Sequence, residues 1–185
     1  VVPPTAGRGA RRSVYFPGST IGNLTPEEAV RLLGRAADIV GPGGGLLIGI
    51  DLRKDPLRIE AAYNDSAGLT AAFNLNLLVR ANRELGADFR LTRFQHRAFY
   101  DRTHGRIEMH LVSLARQRVS VGGRVFAFGA GETILTEYSY KYEIDQFAAL
   151  AAQAGFDLRR TWTDASRLFG VLYLETPPTT LRGLC

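Results

Sequence analysis

Apolar and polar positions along the chain change period several times, and each change marks an element. Ser13-Val14-Tyr15-Phe16 is a short apolar run stopped by Pro17-Gly18, which reads as a buried strand ending in a turn. A loop of small and polar residues, Gly18 to Asn23, follows. Thr25-Pro26-Glu27-Glu28 then opens a helix: Thr25 can cap, Pro26 fits the first helical position, and Glu28 completes a capping box. Ala29, Leu32, Leu33, Ala36, Ala37 and Val40 keep helical spacing until Gly41-Pro42-Gly43-Gly44 ends the helix. Leu46 to Ile50 is a continuous apolar run, as expected of a strand covered on both faces, and it ends at Asp51. Strand, loop, helix, glycine stop and strand together predict a βαβ unit of a parallel sheet. Ligands of such sheets bind beyond the carboxyl ends of the strands, which singles out the loop 17–23 and the stretch from Asp51.

After Asp51 the chain is polar as far as Ile59. A long helix is predicted over about 66–85, with Leu69, Phe73, Leu77 and Arg80 on one stripe. The pattern then turns β-like. Gln95–Tyr100, Arg106–Leu114, Arg116–Val121 and Arg124–Phe128 read as strands, and Gly122-Gly123 as a two-residue hairpin turn. This antiparallel block interrupts the α/β pattern as an inserted subdomain over 95–142. Glu143–Ala154 is amphipathic through Ile144, Phe147, Leu150 and Ala151, and Gly155 ends it. Phe156–Thr163 and Phe169–Leu174 read as strands joined by a short link containing Asp164. The expected organisation is a loose lead-in over 1–12, an α/β core with a helical segment over 13–94, the insertion over 95–142, closing helix and strands over 143–175, and a tail over 176–185.

Composition changes this picture little. Hydrophobic residues make up 45% of the 185 residues and charged ones 22%, ordinary globular proportions that exclude a wholly disordered chain. A single cysteine, Cys185, excludes an internal disulfide framework and a multi-cysteine zinc site. No apolar run approaches the roughly 18 residues of a membrane span, and the first residues lack the charged start and apolar core of a secretory signal. A reducing, cytosolic setting is the simplest reading. The net charge of +5 comes mostly from scattered arginines; Arg8, Arg11 and Arg12 form the one tight cluster and read as a solvated basic segment rather than a nucleic-acid arm. His96, His104 and His110 do not share a metal-ligand spacing with a cysteine or paired carboxylates. Trp162 reads as a packing residue, and Asp51 as a turn carboxylate or an assistant to a site.

Gly41-Pro42-Gly43-Gly44 before Leu46–Ile50 resembles the entry to the fifth strand of class I methyltransferases, and Ala154-Gly155-Phe156 resembles the entry to their closing antiparallel pair. A sharper resemblance runs through Tyr15 to Asn23 (YFPGSTIGN), Asp51 to Asp55 (DLRKD), Ala62 to Asp65 (AYND), Thr70 to Asn76 (TAAFNLN), Ile107 to Leu111 (IEMHL) and Gly131 to Tyr142 (GETILTEYSYKY). These strings, in this order over roughly residues 13 to 174, are similar to the histidine-specific N-alpha-methyltransferases that open ergothioneine synthesis. The resemblance implies a class I, Rossmann-like α/β fold with a partial sheet and an inserted antiparallel β subdomain. It implies transfer of methyl groups from S-adenosylmethionine to the alpha-amine of L-histidine, giving the trimethylated betaine hercynine. The scattered charge and the lack of a long apolar run lead us to expect no nucleic-acid or membrane partner.

Residue by residue, the resemblance implies that Asn23 contacts the substrate amino group and Tyr63 its carboxylate. Glu137 and Ser139 recognise the imidazole, with Tyr138 between them in the same string. Two apart on an extended segment, Glu137 and Ser139 would share a face, and a carboxylate accepting an imidazole N–H selects for histidine. Met109 resembles the methionine of the pocket wall. Gly18 and Thr20 sit in the loop where backbone approaches a ligand closely and are expected as secondary contacts. Asn23, Tyr63 and Glu137 are expected to converge on one amino-acid ligand. The general base is not assigned.

The chain also departs from the family. No G-x-G-x-x-G precedes a helix, and the glycines at 41–45 lie before a strand. The chain therefore resembles the C-terminal part of such an enzyme, with most of the histidine contacts and few of the cofactor contacts, and weak binding of S-adenosylmethionine by these residues alone is expected. Two other readings are an N-methyltransferase for another amino acid such as tryptophan, and a non-catalytic basic interaction module.

Overall fold

The structure is a computed structural model and describes residues 11–178. Arg8, Cys185 and most of the lead-in and tail lie outside the described residues. In chain order the elements are β1 (Ser13–Phe16), α1 (Pro26–Val40), β2 (Gly45–Asp51), α2 (Pro56–Tyr63) and α3 (Leu69–Leu85). They continue with β3 (Phe94–Asp101), β4 (Arg106–Ser113), β5 (Gln117–Val121), β6 (Arg124–Phe128) and β7 (Thr133–Tyr140), then α4 (Ile144–Gln153), β8 (Asp157–Thr163) and β9 (Phe169–Glu175).

Contacts divide the chain into two units. Lys54–Ser139 forms a central unit, and the flanking segments, up to Arg53 and from Tyr140, form an α/β unit. The sequence pattern suggested boundaries at 94/95 and 142/143. The structure groups α2 and α3 with the antiparallel strands because both helices pack on β3 and on β4.

In the α/β unit β1 and β2 are parallel, with Ser13 opposite Gly45 and Phe16 opposite Ile48, so the predicted βαβ crossover is present. The capping box of α1 is complete. The Glu28 amide donates to Thr25 Oγ1 at 3.3 Å and the Thr25 amide donates to the Glu28 carboxylate at 2.9 Å. The helix ends at Gly41 with φ +70°. The sheet order is β1-β2-β9-β8, with β9 antiparallel to both β2 and β8. Leu46, Ile48, Ile50, Leu172 and Leu174 form its dry centre, and α4 adds Phe147 and Ala151. Three expectations change here. β1 is an edge strand with Tyr15 exposed, not a buried one. Trp162, on edge strand β8, is 49% exposed rather than packed. Thr176, assigned to the tail, is buried: its hydroxyl accepts from Gly44 N at 3.0 Å and donates to Gly41 O at 2.6 Å.

In the central unit three strands run in the order β3-β4-β7, with β3 and β4 antiparallel. β5 and β6 form a separate hairpin turned by Gly122 and Gly123, at φ +55° and +79°. That left-handed pair is the backbone a two-residue hairpin of this twist needs. The region after Asp51 is not simply polar loop: Asp55 accepts from Leu57 N at 3.0 Å, Pro56 takes the first helical position, and α2 follows. The predicted stripe of α3 is reversed. Leu69, Phe73, Leu77 and Arg80 face outward, and the buried positions are Asn74 and Leu78. Leu78 packs with Phe94 and Leu111, joined by Leu75, Phe89 and Ile134.

Candidate functional site

The loop after β1 is built by two successive left-handed residues, Gly18 at φ +77° and Ser19 at φ +57°. Ser19 is not glycine, so its conformation is held rather than preferred. Its Oγ accepts a hydrogen bond from Asp51 N at 2.7 Å, which ties the loop to the carboxyl end of β2. Residues Thr20–Asn23 then form one 3-10 turn anchored by the fully buried Ile21. A side chain on Gly22 would come within 2.8 Å of the Tyr140 carbonyl oxygen, so only glycine fits beside the returning chain. Gly18, Thr20 and Asn23 are all exposed.

The end of β2 is clamped a second time by residues just after β7. Tyr142 N donates to Asp51 O and Arg53 N to Tyr142 O, both at 3.0 Å, and Arg53 Nε donates to Lys141 O at 3.3 Å. The Lys141 side chain is 1% exposed, and its Nζ lies 2.7 Å from the Asp51 carboxylate. An ammonium so far from water needs a carboxylate beside it, and this is the role the structure gives Asp51. Sequence reasoning missed Lys141; a lysine between two aromatic residues, Tyr140 and Tyr142, was the available signal. Burial and the neighbouring Tyr140 push the Tyr142 phenol up to about 12.

The central unit brings two of the expected residues into direct contact. Tyr63, the last residue of α2, donates from Oη to Ser139 Oγ at 2.7 Å. Ser139 is buried. Tyr63 also packs on a dry cluster of Ile59, Ala98, Ile107 and Met109, so Met109 belongs to the apolar floor on which Tyr63 rests. Glu137 is half-buried on β7, two residues before Ser139.

Tyr138 has a different environment. The Arg106 guanidinium carbon sits 3.7 Å from the centre of its ring, a cation–π contact. Arg106 in turn donates to Glu108 through Nε at 2.9 Å and also through Nη2. Glu108 Oε2 lies 3.0 Å from His110 Nε2. Burial alone would raise the Glu108 carboxyl, but Arg106 and His110 outweigh it and hold it below the usual range. His104 pairs with Asp101. His96 meets the Asn74 amide and the Tyr63 carbonyl, so the three histidines have separate local partners, and among the described residues no group of three or more His, Cys, Asp or Glu side chains could hold a metal ion.

Gly44, Gly45 and Gly49 of the α/β unit do not form a cradle for the nucleotide part of a methyl donor. A side chain on Gly44 would meet Val40 at 2.5 Å, and one on Gly45 would meet Tyr173 at 2.8 Å. One on Gly49 would meet Phe169 at 2.7 Å. These glycines make room for protein, and Gly41–Gly45 lie at the amino end of β2, away from its carboxyl end.

The polar side chains of the two units, each unit taken by itself, offer both donors and acceptors. The Tyr63 and Ser139 hydroxyls both donate and accept, Glu137 offers acceptor oxygens, and the Asn23 carboxamide offers one acceptor and two donors. A family model for "Histidine-specific methyltransferase, SAM-dependent" matches residues 2–176. The chain belongs to that family. It is 46% identical over 166 residues to a histidine N-alpha-methyltransferase of Mycobacterium tuberculosis, covering 89% of this chain and 52% of that protein. It is 46% identical over 163 residues to the protein of the same name from Mycolicibacterium smegmatis, covering 87% and 51%. It is 30% identical over 167 residues to ergothioneine biosynthesis protein 1 of Neurospora crassa, covering 83% and 17%. The chain spans about half the length of the two bacterial relatives.

Proposed function

We propose that this member of the histidine-specific methyltransferase family supplies the amino-acid side of methyl transfer from S-adenosylmethionine to the alpha-amine of L-histidine. The observation that carries the reading is the Tyr63–Ser139 hydrogen bond of 2.7 Å, between residues 76 positions apart, beside an apolar floor that includes Met109. In this reading the Tyr63 phenol turns its single O–H from Ser139 Oγ to the substrate carboxylate, adding no charge. Glu137 and Ser139 take the imidazole, and the aliphatic floor excludes water from the ring. Asn23 accepts an N–H of the amine and so orients its lone pair. Gly18, Thr20 and Tyr138 shape the surroundings. A free alpha-amine has a pKa near 8, so only modest tuning is needed to present it neutral. The methyl donor supplies an electrophilic carbon when bound, and the residues described above act on the acceptor: they bind it, orient it and desolvate it.

Calorimetric titration of the 185-residue chain with L-histidine and L-tryptophan tests this. Saturable binding of histidine, weaker binding of tryptophan, and loss of that preference in Glu137→Ala are expected. Equal binding of both amino acids, or unchanged selectivity in Glu137→Ala, would overturn the assignment.

A further inference from the structure

β3 is the outer strand of its sheet, and an outer strand leaves backbone groups to be satisfied by something other than a neighbouring strand. Here the end of α2 satisfies them. Tyr100 N donates to Glu60 Oε1 at 2.8 Å. Ala98 N donates to Asn64 Oδ1 at 3.3 Å, and Ala98 O accepts from Asn64 Nδ2 at 3.0 Å, so the Asn64 amide stands in for a strand residue. Two positions further along the same row, His96 Nε2 lies 2.9 Å from the Tyr63 carbonyl oxygen. Positions 96, 98 and 100 of one strand therefore each hold the last turn of α2 or the residue that follows it.

The protonation of His96 follows from Asn74. This side chain is 1% exposed, and its Nδ2 lies 3.2 Å from His110 O and 3.0 Å from His96 Nδ1. A carbonyl oxygen can only accept, so the amide nitrogen must face His110 O, and the reverse orientation would set two oxygens against each other. One amide hydrogen goes to that carbonyl. The other points at His96 Nδ1, which must be the bare ring nitrogen. The ring proton then sits on Nε2, where it donates to Tyr63 O. Three groups, the Asn74 amide, the His96 ring and the Tyr63 carbonyl, form one directional chain from α3 through β3 to the end of α2.

We propose that His96, kept as the neutral Nε2–H tautomer by Asn74, is a positioning residue for Tyr63. It holds Tyr63 by its carbonyl so that the phenol meets Ser139 Oγ. The functional consequence rests on Tyr63 being a substrate contact, as proposed above. The tautomer itself does not.

Nitrogen-15 spectra of the histidine rings in the 185-residue chain at pH 7.5 test the first half. A bare Nδ1 and a protonated Nε2 are expected at His96; an Nδ1–H ring or a doubly protonated ring overturns the proposal. The second half uses His96→Ala and His96→Gln, the latter returning an N–H donor near the position of Nε2. The carbon-13 resonance of Tyr63 Cζ should move in His96→Ala and return toward its original value in His96→Gln. The dissociation constant for L-histidine should rise about tenfold in His96→Ala, the size of one hydrogen bond, and recover to within about threefold in His96→Gln. A Tyr63 resonance and a dissociation constant that stay fixed while only the melting temperature falls would reduce His96 to a packing role and overturn the proposal. Absence of histidine binding by the unaltered chain would instead count against the function proposed for the site, and the tautomer and the Tyr63 resonance would still decide this inference. If His96→Ala fails to fold, His96→Gln carries the test: a Tyr63 resonance displaced despite the restored donor overturns the proposal.

Discussion

Along α1 the apolar residues Ala29, Leu33 and Val40 face inward, and Glu27, Arg31, Arg35 and Asp38 face out. Along α3 the apolar residues Leu69, Phe73 and Leu77 are 72%, 66% and 42% exposed, while Asn74 is buried. Both helices carry enough leucine and alanine to be read by period. The difference lies in what waits beneath them. Under α1 lies a mixed sheet whose strand β2 is apolar on both faces, and only apolar side chains lose nothing there. Under α3 lie the His96 ring and the His110 carbonyl, and these take both N–H bonds of the Asn74 amide. Both donors of the buried amide are satisfied, which recovers part of its desolvation cost although its Oδ1 has no partner, and Leu78, four residues on, fills the remaining space. An inward face is therefore chosen by complementarity, of which hydrophobicity is one kind.

That contrast can be broken by substitution. Leu33→Ala in α1 and Leu78→Ala in α3 should each cost about 2–5 kcal/mol in urea unfolding, because both leave a cavity in a packed cluster. Phe73→Ala removes a larger side chain and should change stability by less than about 0.5 kcal/mol; a loss equal to that of Leu78→Ala would show that the outward face of α3 is packed after all. Next in size are the helix starts. Thr25→Ala removes the capping box of α1 and should cost about 1 kcal/mol in the same assay.

The start of α3 is held differently, and its effect should be smallest. Gly68 supplies no capping side chain, and Asp65 instead accepts from Leu69 N and Thr70 N, both at 2.8 Å. The Thr70 side chain and amide, followed by the Leu69 amide, draw the Asp65 carboxyl down to about 2, from an ordinary value of 3.8. A carboxyl depressed in the folded state contributes stability that is fully present above about pH 4 and is lost as pH falls toward 2. Helical ellipticity should therefore decline over that window in the parent protein and more weakly in Asp65→Asn, whose amide caps without titrating. Identical acid profiles for the two proteins would remove Asp65 from the account of this helix.

Much of the fold was legible because its signals are local. Thr25-Pro26-Glu27-Glu28, the glycines after Val40 and the run Leu46–Ile50 each act within a few residues, and β1, α1 and β2 formed where they predicted. α2 was missed although Asp55-Pro56 repeats the cap-then-proline signature of Thr25-Pro26; at 8 residues it is too short to show a period. The candidate site was legible only in part. Tyr63, Ser139 and Met109 could be named from the resemblance of their flanking strings. The hydrogen bond between Tyr63 and Ser139, the buried Lys141–Asp51 pair and the Asn74–His96–Tyr63 chain join residues that no local pattern connects.

Where helices and strands begin and end was decided by the residues themselves, since capping, glycine stops and side-chain alternation are satisfied within a turn or a strand pair. Which side of α3 turns inward, whether an exposed-looking lysine is buried, and which nitrogen of His96 carries its proton were decided only on assembly. Those outcomes depend on partners from other elements, and a polar group has no preferred side until its partner arrives.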